Sequence, residues 1–330
     1  MNLNHLLSIA ILVGVATFFG CSGQQHDLNS IEGMNAALSE NPSDTAARFA
    51  RAKYYQAKGR NDSALADMQV LVKTDSLRPD YYLTMADIYL AVNQTRYTRK
   101  ALQRAISLNS ELESAHMKLA ELYLYVEMRQ DALNELNEVL KRNKNNPKGY
   151  YLKGMIYKES GDTALAISSF ITTTEQDPNY ALAYEQLGLI YAAKGDQRCL
   201  DFYTNALRIN PKNSLTRYNI GYFYQSVGDT ANALKTYREL ISIDSKFANA
   251  YYNIGFILFE LKNNPKDAVP YFLQAAAAKP GYVEAIYMSG LCNERLGNKE
   301  LALKDYTSAL KLDPNFALAQ RAFDRLGGKL

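Results

Sequence analysis

Histidine, cysteine and clustered basic side chains are where chemistry would start in this chain, and they are few. The three His are His5, His26 and His116. No HExxH, CxxC, GxSxG or Walker-type glycine loop occurs, so the common zinc, thiol-redox, hydrolase and nucleotide signatures are absent. Of the three Cys, Cys199 and Cys292 are distant from each other along the chain, and Cys21 directly follows an apolar run. Arg96, Arg99, Lys100 and Arg104 form a basic run. It could meet an acidic partner or anionic lipid headgroups, or simply be a solvated helix surface. No set of residues converges on a reaction. The chain is therefore read as non-enzymatic, with no catalytic residues, no cofactor and no metal.

The composition supports a folded protein. Of 330 residues, 47% are hydrophobic and 22% charged, with 18 Gly and 9 Pro, which excludes collagen-like, low-complexity and wholly disordered chains. Lys and Arg total 37 against 34 Asp and Glu, a formal charge of only +3. A duplex-binding protein usually carries a clustered basic excess, so nucleic acid is not an expected partner. Three Cys are too few for a disulfide scaffold. There are 25 Tyr and no Trp.

Residues 6–20, LLSIAILVGVATFFG, contain no charge. A spanning helix needs about 20 apolar residues, so this run fits the core of a secretory signal better. It ends at Gly20-Cys21, followed by Ser22-Gly23. A small residue before Cys at this place resembles a bacterial lipobox, in the looser form of Bacteroidota that tolerates Phe18 and Phe19. The resemblance implies cleavage after residue 20 and a lipid on Cys21, with residues 21–27 as a tether. It also implies a membrane attachment, most simply to an outer membrane and facing the periplasm. One acyl chain binds membranes only marginally, but the two or three chains of such a modification would hold.

The rest of the chain repeats itself. The segments YYLKGMIYKESGD (150–162), YEQLGLIYAAKGD (184–196), YNIGYFYQSVGD (218–229) and IYMSGLCNERLGN (286–298) align. Eight repeats averaging 34 residues follow, over 45–78, 79–112, 113–146, 147–180, 181–213, 214–247, 248–282 and 283–316. Numbering places from the first residue of each, place eight is always small: Ala52, Ala86, Ala120, Gly154, Gly188, Gly221, Gly255 and Gly290. Place twenty is Ala in six repeats, with Thr98 and Cys199 in the other two. Repeat five has lost a residue near Gln197-Arg198, and repeat seven has gained one, placed at Asn264-Pro265.

The spacing predicts two helices per repeat. Tyr150, Gly154 and Tyr157 follow i, i+4, i+7, one helical face. Gly161-Asp162-Thr163 supplies a glycine stop and a polar N-cap between helices. Small residues at places eight and twenty let backbones approach, and aromatics at places eleven and twenty-four fill the space around them. No single pair buries enough surface, so neighbours must stack. Residues 28–40 read as a lone leading helix and 317–327 as a capping helix.

This pattern resembles the tetratricopeptide repeat family, a 34-residue helix–turn–helix unit. The resemblance implies an all-α fold, a right-handed α-solenoid forming one elongated domain over residues 28–330. It also implies a concave groove lined by the first helices through places two, five, nine and twelve. Carried over, the groove residues are Tyr218, Tyr222, Tyr252, Phe256, Phe259 and Tyr287, with Leu215 and Leu291 beside them. Asn219 and Asn253, at place six, match a family position that can bond an extended peptide. The aromatic rings either form an exposed binding patch or pack against one another across adjacent helices. His116, at an aromatic packing place, is read as structural.

The functional expectation is a lipid-anchored scaffold that binds a peptide or helix of another cell-envelope protein in its groove. The alternative is a structural subunit of an envelope secretion or pilus-assembly machine, and an enzyme is the remote third reading. Partner identity and self-association stay open.

Overall fold

The computed structural model describes residues 26–328, so Cys21 and the apolar run before it lie outside the described residues. Among the described residues there are only helices, turns and bends, and no strand. No helix among them is long and apolar enough to cross a membrane. The fold is of the α-solenoid class, built of helix hairpins that stack on their neighbours within each body. The chain divides into two compact bodies, one reaching Leu122 and the other starting at Tyr123.

The N-terminal body holds α1 (Ile31–Glu40), α2 (Thr45–Ala57), α3 (Asn61–Thr74), α4 (Pro79–Ala91), α5 (Thr95–Leu108) and most of α6 (Glu113–Tyr125). α2 pairs with α3, and α4 with α5, as antiparallel hairpins. The lone α1 packs Ala37 and Leu38 onto Ala47 of α2. The buried Asp67 carboxylate on α3 accepts from Arg51 Nε and Nη2, both at 2.8 Å, and Arg51 Nη1 donates to Asn35 of α1. A buried charge is tolerable only when paired in this way, and the pairing ties the first three helices together.

The C-terminal body continues with α7 (Arg129–Arg142), α8 (Pro147–Glu159), α9 (Thr163–Gln176), α10 (Ala181–Ala193), α11 (Cys199–Ile209), α12 (Ser214–Ser226) and α13 (Thr230–Ile243). Then come α14 (Ala248–Phe256), a π-helical turn (Ile257–Leu261), α15 (Pro265–Ala278), α16 (Val283–Arg295), α17 (Lys299–Leu312) and α18 (Ala317–Arg325). Local chemistry explains the hairpins. In the α12–α13 turn Gly228 takes φ 81°, and Asp229 accepts from the Asn232 N–H to cap α13. Such a left-handed stop followed by a side-chain N-cap is repeated at Gly161-Asp162.

Packing within each hairpin follows a size rule. In the C-terminal body a Gly at place eight faces a ring at place twenty-four: Gly154 with Phe170, Gly188 with Tyr203, Gly221 with Tyr237, Gly255 with Phe272 and Gly290 with Tyr306. In the N-terminal body the same places hold Ala52 with Met68 and Ala86 with Leu102, all fully or nearly fully buried. The larger backbone-side residue goes with the smaller, non-aromatic partner, as constant packing density requires.

The extra residue of repeat seven is not where the sequence suggested. The turn after the first helix is of ordinary length, and the residue is absorbed as the π turn Ile257–Leu261, where Lys262 N–H bonds to Ile257 O five residues back. A single π turn is the usual way a helix absorbs an insertion. Counted back from the α15 cap at Asn264, Phe259 then occupies place eleven, the site filled by Tyr191 and Tyr224 in earlier repeats.

Candidate functional site

The first helices of repeats five and six, α10 and α12, leave a cleft of about 530 Å³ between them. Leu189, Ala192 and Ala193 come from α10, Tyr218, Asn219, Tyr222, Phe223 and Ser226 from α12, and Tyr203 from α11. No Lys, Arg, Asp or Glu lines it. Ala192 and Ala193 are too small to fill the space beside Tyr203, and this opens the cleft. Tyr222 stands at its rim, 56% exposed. Leu182, Leu189 and Leu215 are also exposed at places two and nine of α10 and α12. These exposed apolar side chains lie beside the cleft on repeats five and six.

The expected groove residues separate into three groups. Tyr218, Asn219 and Tyr222 line the cleft. Tyr218 is steadied by its neighbours, 5.2 Å from the Phe247 ring and 5.8 Å from Tyr237. Tyr252 and Tyr287 are half-buried in packing: Tyr252 stacks on Tyr282 at 5.3 Å, and Tyr287 lies edge-on to Phe316 at 5.5 Å. Phe256 is half-buried against the core of repeats six and seven.

Two of the eight are corrections. Phe259 is 3% exposed, because the π turn rotates it from place twelve into the core. Arg295 covers its ring at 4.6 Å. Asn253 is 9% exposed, and its amide donates to Tyr237 Oη at 2.9 Å and to Tyr218 Oη at 3.2 Å. Those bonds occupy both hydrogens of its NH2 group. Phe259 is thus a core residue, and the Asn253 NH2 is not free to donate to a peptide.

Sequence reasoning missed Leu182, Leu189, Ala192 and Tyr203. The signal was present at place twelve. In repeat six Gln225 accepts from Tyr237 Oη at 3.0 Å, and in repeat eight Glu294 accepts from Tyr306 Oη at 2.7 Å. Repeat five has Ala192 there. Burial pushes the Tyr203, Tyr237 and Tyr306 hydroxyls well above the usual phenol range, so all three are neutral hydrogen-bonding groups.

Elsewhere the chemistry-bearing residues are structural. His116 is buried, with Nε2 3.0 Å from Ser110 O. Cys199 and Cys292 are fully buried, and desolvation pushes their thiols up to about 11 and about 12. Such thiols are poor nucleophiles near neutral pH. On α5, Arg96 and Lys100 are exposed, and Arg104 lies over the Tyr82 ring at 5.8 Å. Among the described residues no three His, Cys, Asp or Glu side chains group closely enough to hold a metal. What the cleft can do is bind, by shape and neutral hydrogen bonds.

A stack of helix hairpins with small residues at each crossing defines a helical-repeat protein, and comparison says which kind. Profiles described as TPR repeat (residues 224–262) and tetratricopeptide repeat (147–180, 202–235 and 260–317) match the chain, so it carries tetratricopeptide repeats. It is similar to a DnaJ homolog subfamily C member 7 homolog of Schizosaccharomyces pombe, 25% identical over 302 residues, 84% of this chain and 58% of that protein. It is also similar to anaphase-promoting complex subunit 3 of the same yeast, 23% identical over 58% of this chain and 29% of that protein. The chain thus spans well under two thirds of the length of these relatives. Among solved structures, the C-terminal part of a TPR repeat-containing protein from Cytophaga hutchinsonii superposes with a TM-score of 0.64 at 16% identity, over 72% of this chain and 97% of that one. That likeness concerns the fold alone.

Proposed function

We propose that this protein is a non-catalytic scaffold of the cell envelope, anchored by lipid on Cys21 and facing the periplasm from the outer membrane. It takes a peptide segment of another envelope protein on the first-helix face of repeats five and six. The observation that carries the binding part is the uncharged cleft between α10 and α12, rimmed by the exposed Tyr222. Exposed apolar surface next to a concave site is the usual mark of a binding surface. Tetratricopeptide repeats fit this role, and the buried thiols and structural histidine supply no reacting group. The address rests on the apolar run and Gly20-Cys21.

The test is capture from envelope extracts by wild-type protein and by Tyr222→Ala, followed by sequencing of what is captured. A partner bound by wild type and lost in the variant, and a synthetic segment of it that competes, support the reading. A partner retained equally by Tyr222→Ala moves the binding surface elsewhere.

A further inference from the structure

One hydrogen-bond arrangement recurs among the described residues, its ring hydroxyl bonded in repeats six and eight and unbonded in repeat five. In repeats six and seven it is closed: the buried Tyr237 hydroxyl donates to the Gln225 side-chain oxygen and accepts from Asn253. The corresponding residues one repeat earlier are Tyr203, Ala192 and Asn219. Tyr203 is 1% exposed as a residue and lines the cleft, and its hydroxyl makes no hydrogen bond to any described residue although it is not sealed from the cleft. The Asn219 amide is likewise unbonded to any described residue, although its counterpart Asn253 makes two bonds. Both Tyr203 and Asn219 line the α10–α12 cleft, at the side where Ala192 leaves the space that Gln225 fills next door. Both groups open onto the cleft, so a polar group entering it can bond to them directly.

We propose that the cleft receives a carboxamide, the side chain of a glutamine in the partner segment, which takes in trans the place that Gln225 takes in cis. This rests on the cleft being the binding surface. The carboxamide oxygen accepts from Tyr203 Oη, and its NH2 and the Asn219 amide complete the arrangement. A carboxylate is disfavoured for a specific reason. Glu294 plays this part in repeat eight with its charge matched by Arg325, whose Nη2 lies 2.7 Å from both carboxylate oxygens. No cation lines the cleft, so a buried carboxylate there would go unmatched. The apolar walls from Leu189 and Phe223 suit flanking aliphatic side chains.

The test uses the full chain and three probes: the peptide acetyl-Ala-Leu-Gln-Leu-Ala-amide and its counterparts with Glu or Met at the central position, titrated by calorimetry. The glutamine peptide is expected to bind at least about fivefold more tightly than either, the scale of one net hydrogen bond. Tyr203→Phe keeps the ring and should abolish the preference for Gln over Met. Ala192→Gln supplies the missing group from within, so it should raise Tm and weaken the glutamine peptide at least about tenfold. Equal affinities for the three peptides, no binding of the glutamine peptide at millimolar concentration, or undiminished binding to Ala192→Gln would overturn the proposal. If Tyr222→Ala still abolishes capture of the natural partner in that event, only the carboxamide is wrong and the cleft stands. Capture that survives Tyr222→Ala removes the cleft itself.

Discussion

Gly154 and Phe170 are shaped for each other: a Cβ on Gly154 would lie 2.6 Å from Phe170 Cε1, closer than packed carbons come. The ring occupies the space a side chain would need, and the two helices of the hairpin meet across it. Gly154→Ala is therefore expected to cost about 1–3 kcal/mol through overpacking. Phe170→Leu alone should cost stability by leaving a void. Together they recreate the Ala86–Leu102 pair of the N-terminal body, so the double variant should lose less than the sum of the singles. Contacting residues typically couple by about 0.5–3 kcal/mol. Strict additivity in denaturant melts would contradict the size rule.

Phe259 tests the π turn. Because it is buried at place eleven, Phe259→Ala should destabilise the protein by about 3–5 kcal/mol. The exposed ring of Tyr222 should show little change under the same truncation, within about 0.5 kcal/mol as for surface positions generally. Similar losses for both in chemical denaturation would mean that they share one environment.

Glu294 predicts a pH effect. Burial acts to raise its carboxyl, but the hydrogen bonds from Tyr306 and Arg325 outweigh that and hold it below the usual carboxylate range. A group lowered in the native state contributes stability that is fully present above its unfolded value, about 4.3, and is lost as pH falls through its native value. Glu294→Gln removes the titration while leaving an acceptor for Tyr306, as Gln225 is for Tyr237. Its Tm should decline less steeply than wild type as pH falls below about 4.3. Parallel Tm profiles would show that Glu294 does not titrate differently on folding.

Much of the architecture was legible because helical period and hairpin chemistry are local. Place eight and the Gly-Asp turns could be read from spacing, and α8, α10, α12 and α14 begin at Pro147, Ala181, Ser214 and Ala248. The π turn was not legible. An inserted residue has the same sequence whether a loop or a helix absorbs it, and only packing decides. That one ambiguity misplaced Phe259. Asn253 was misread for a different reason: its partners Tyr218 and Tyr237 lie 35 and 16 residues away, and sequence spacing does not show which amides are already satisfied. The cleft depends on an absence, Ala192 where the next repeat has Gln225, which becomes informative only once Tyr203 is seen beside it.

The anchor is testable apart from the fold. Cys21→Ser should leave the signal uncut or release the protein from the membrane fraction. Intact mass of the wild-type protein should include the lipid, and an unmodified Cys21 would end the lipoprotein reading.

Docking of a partner on the cleft between α10 and α12 is probed by Tyr222→Ala, with capture and melting measured on the same sample. The partner should be lost or bound more weakly by upwards of about 2 kcal/mol, as for an aromatic hot spot, with Tm nearly unchanged. A clear fall in Tm with capture intact in the folded fraction would contradict it.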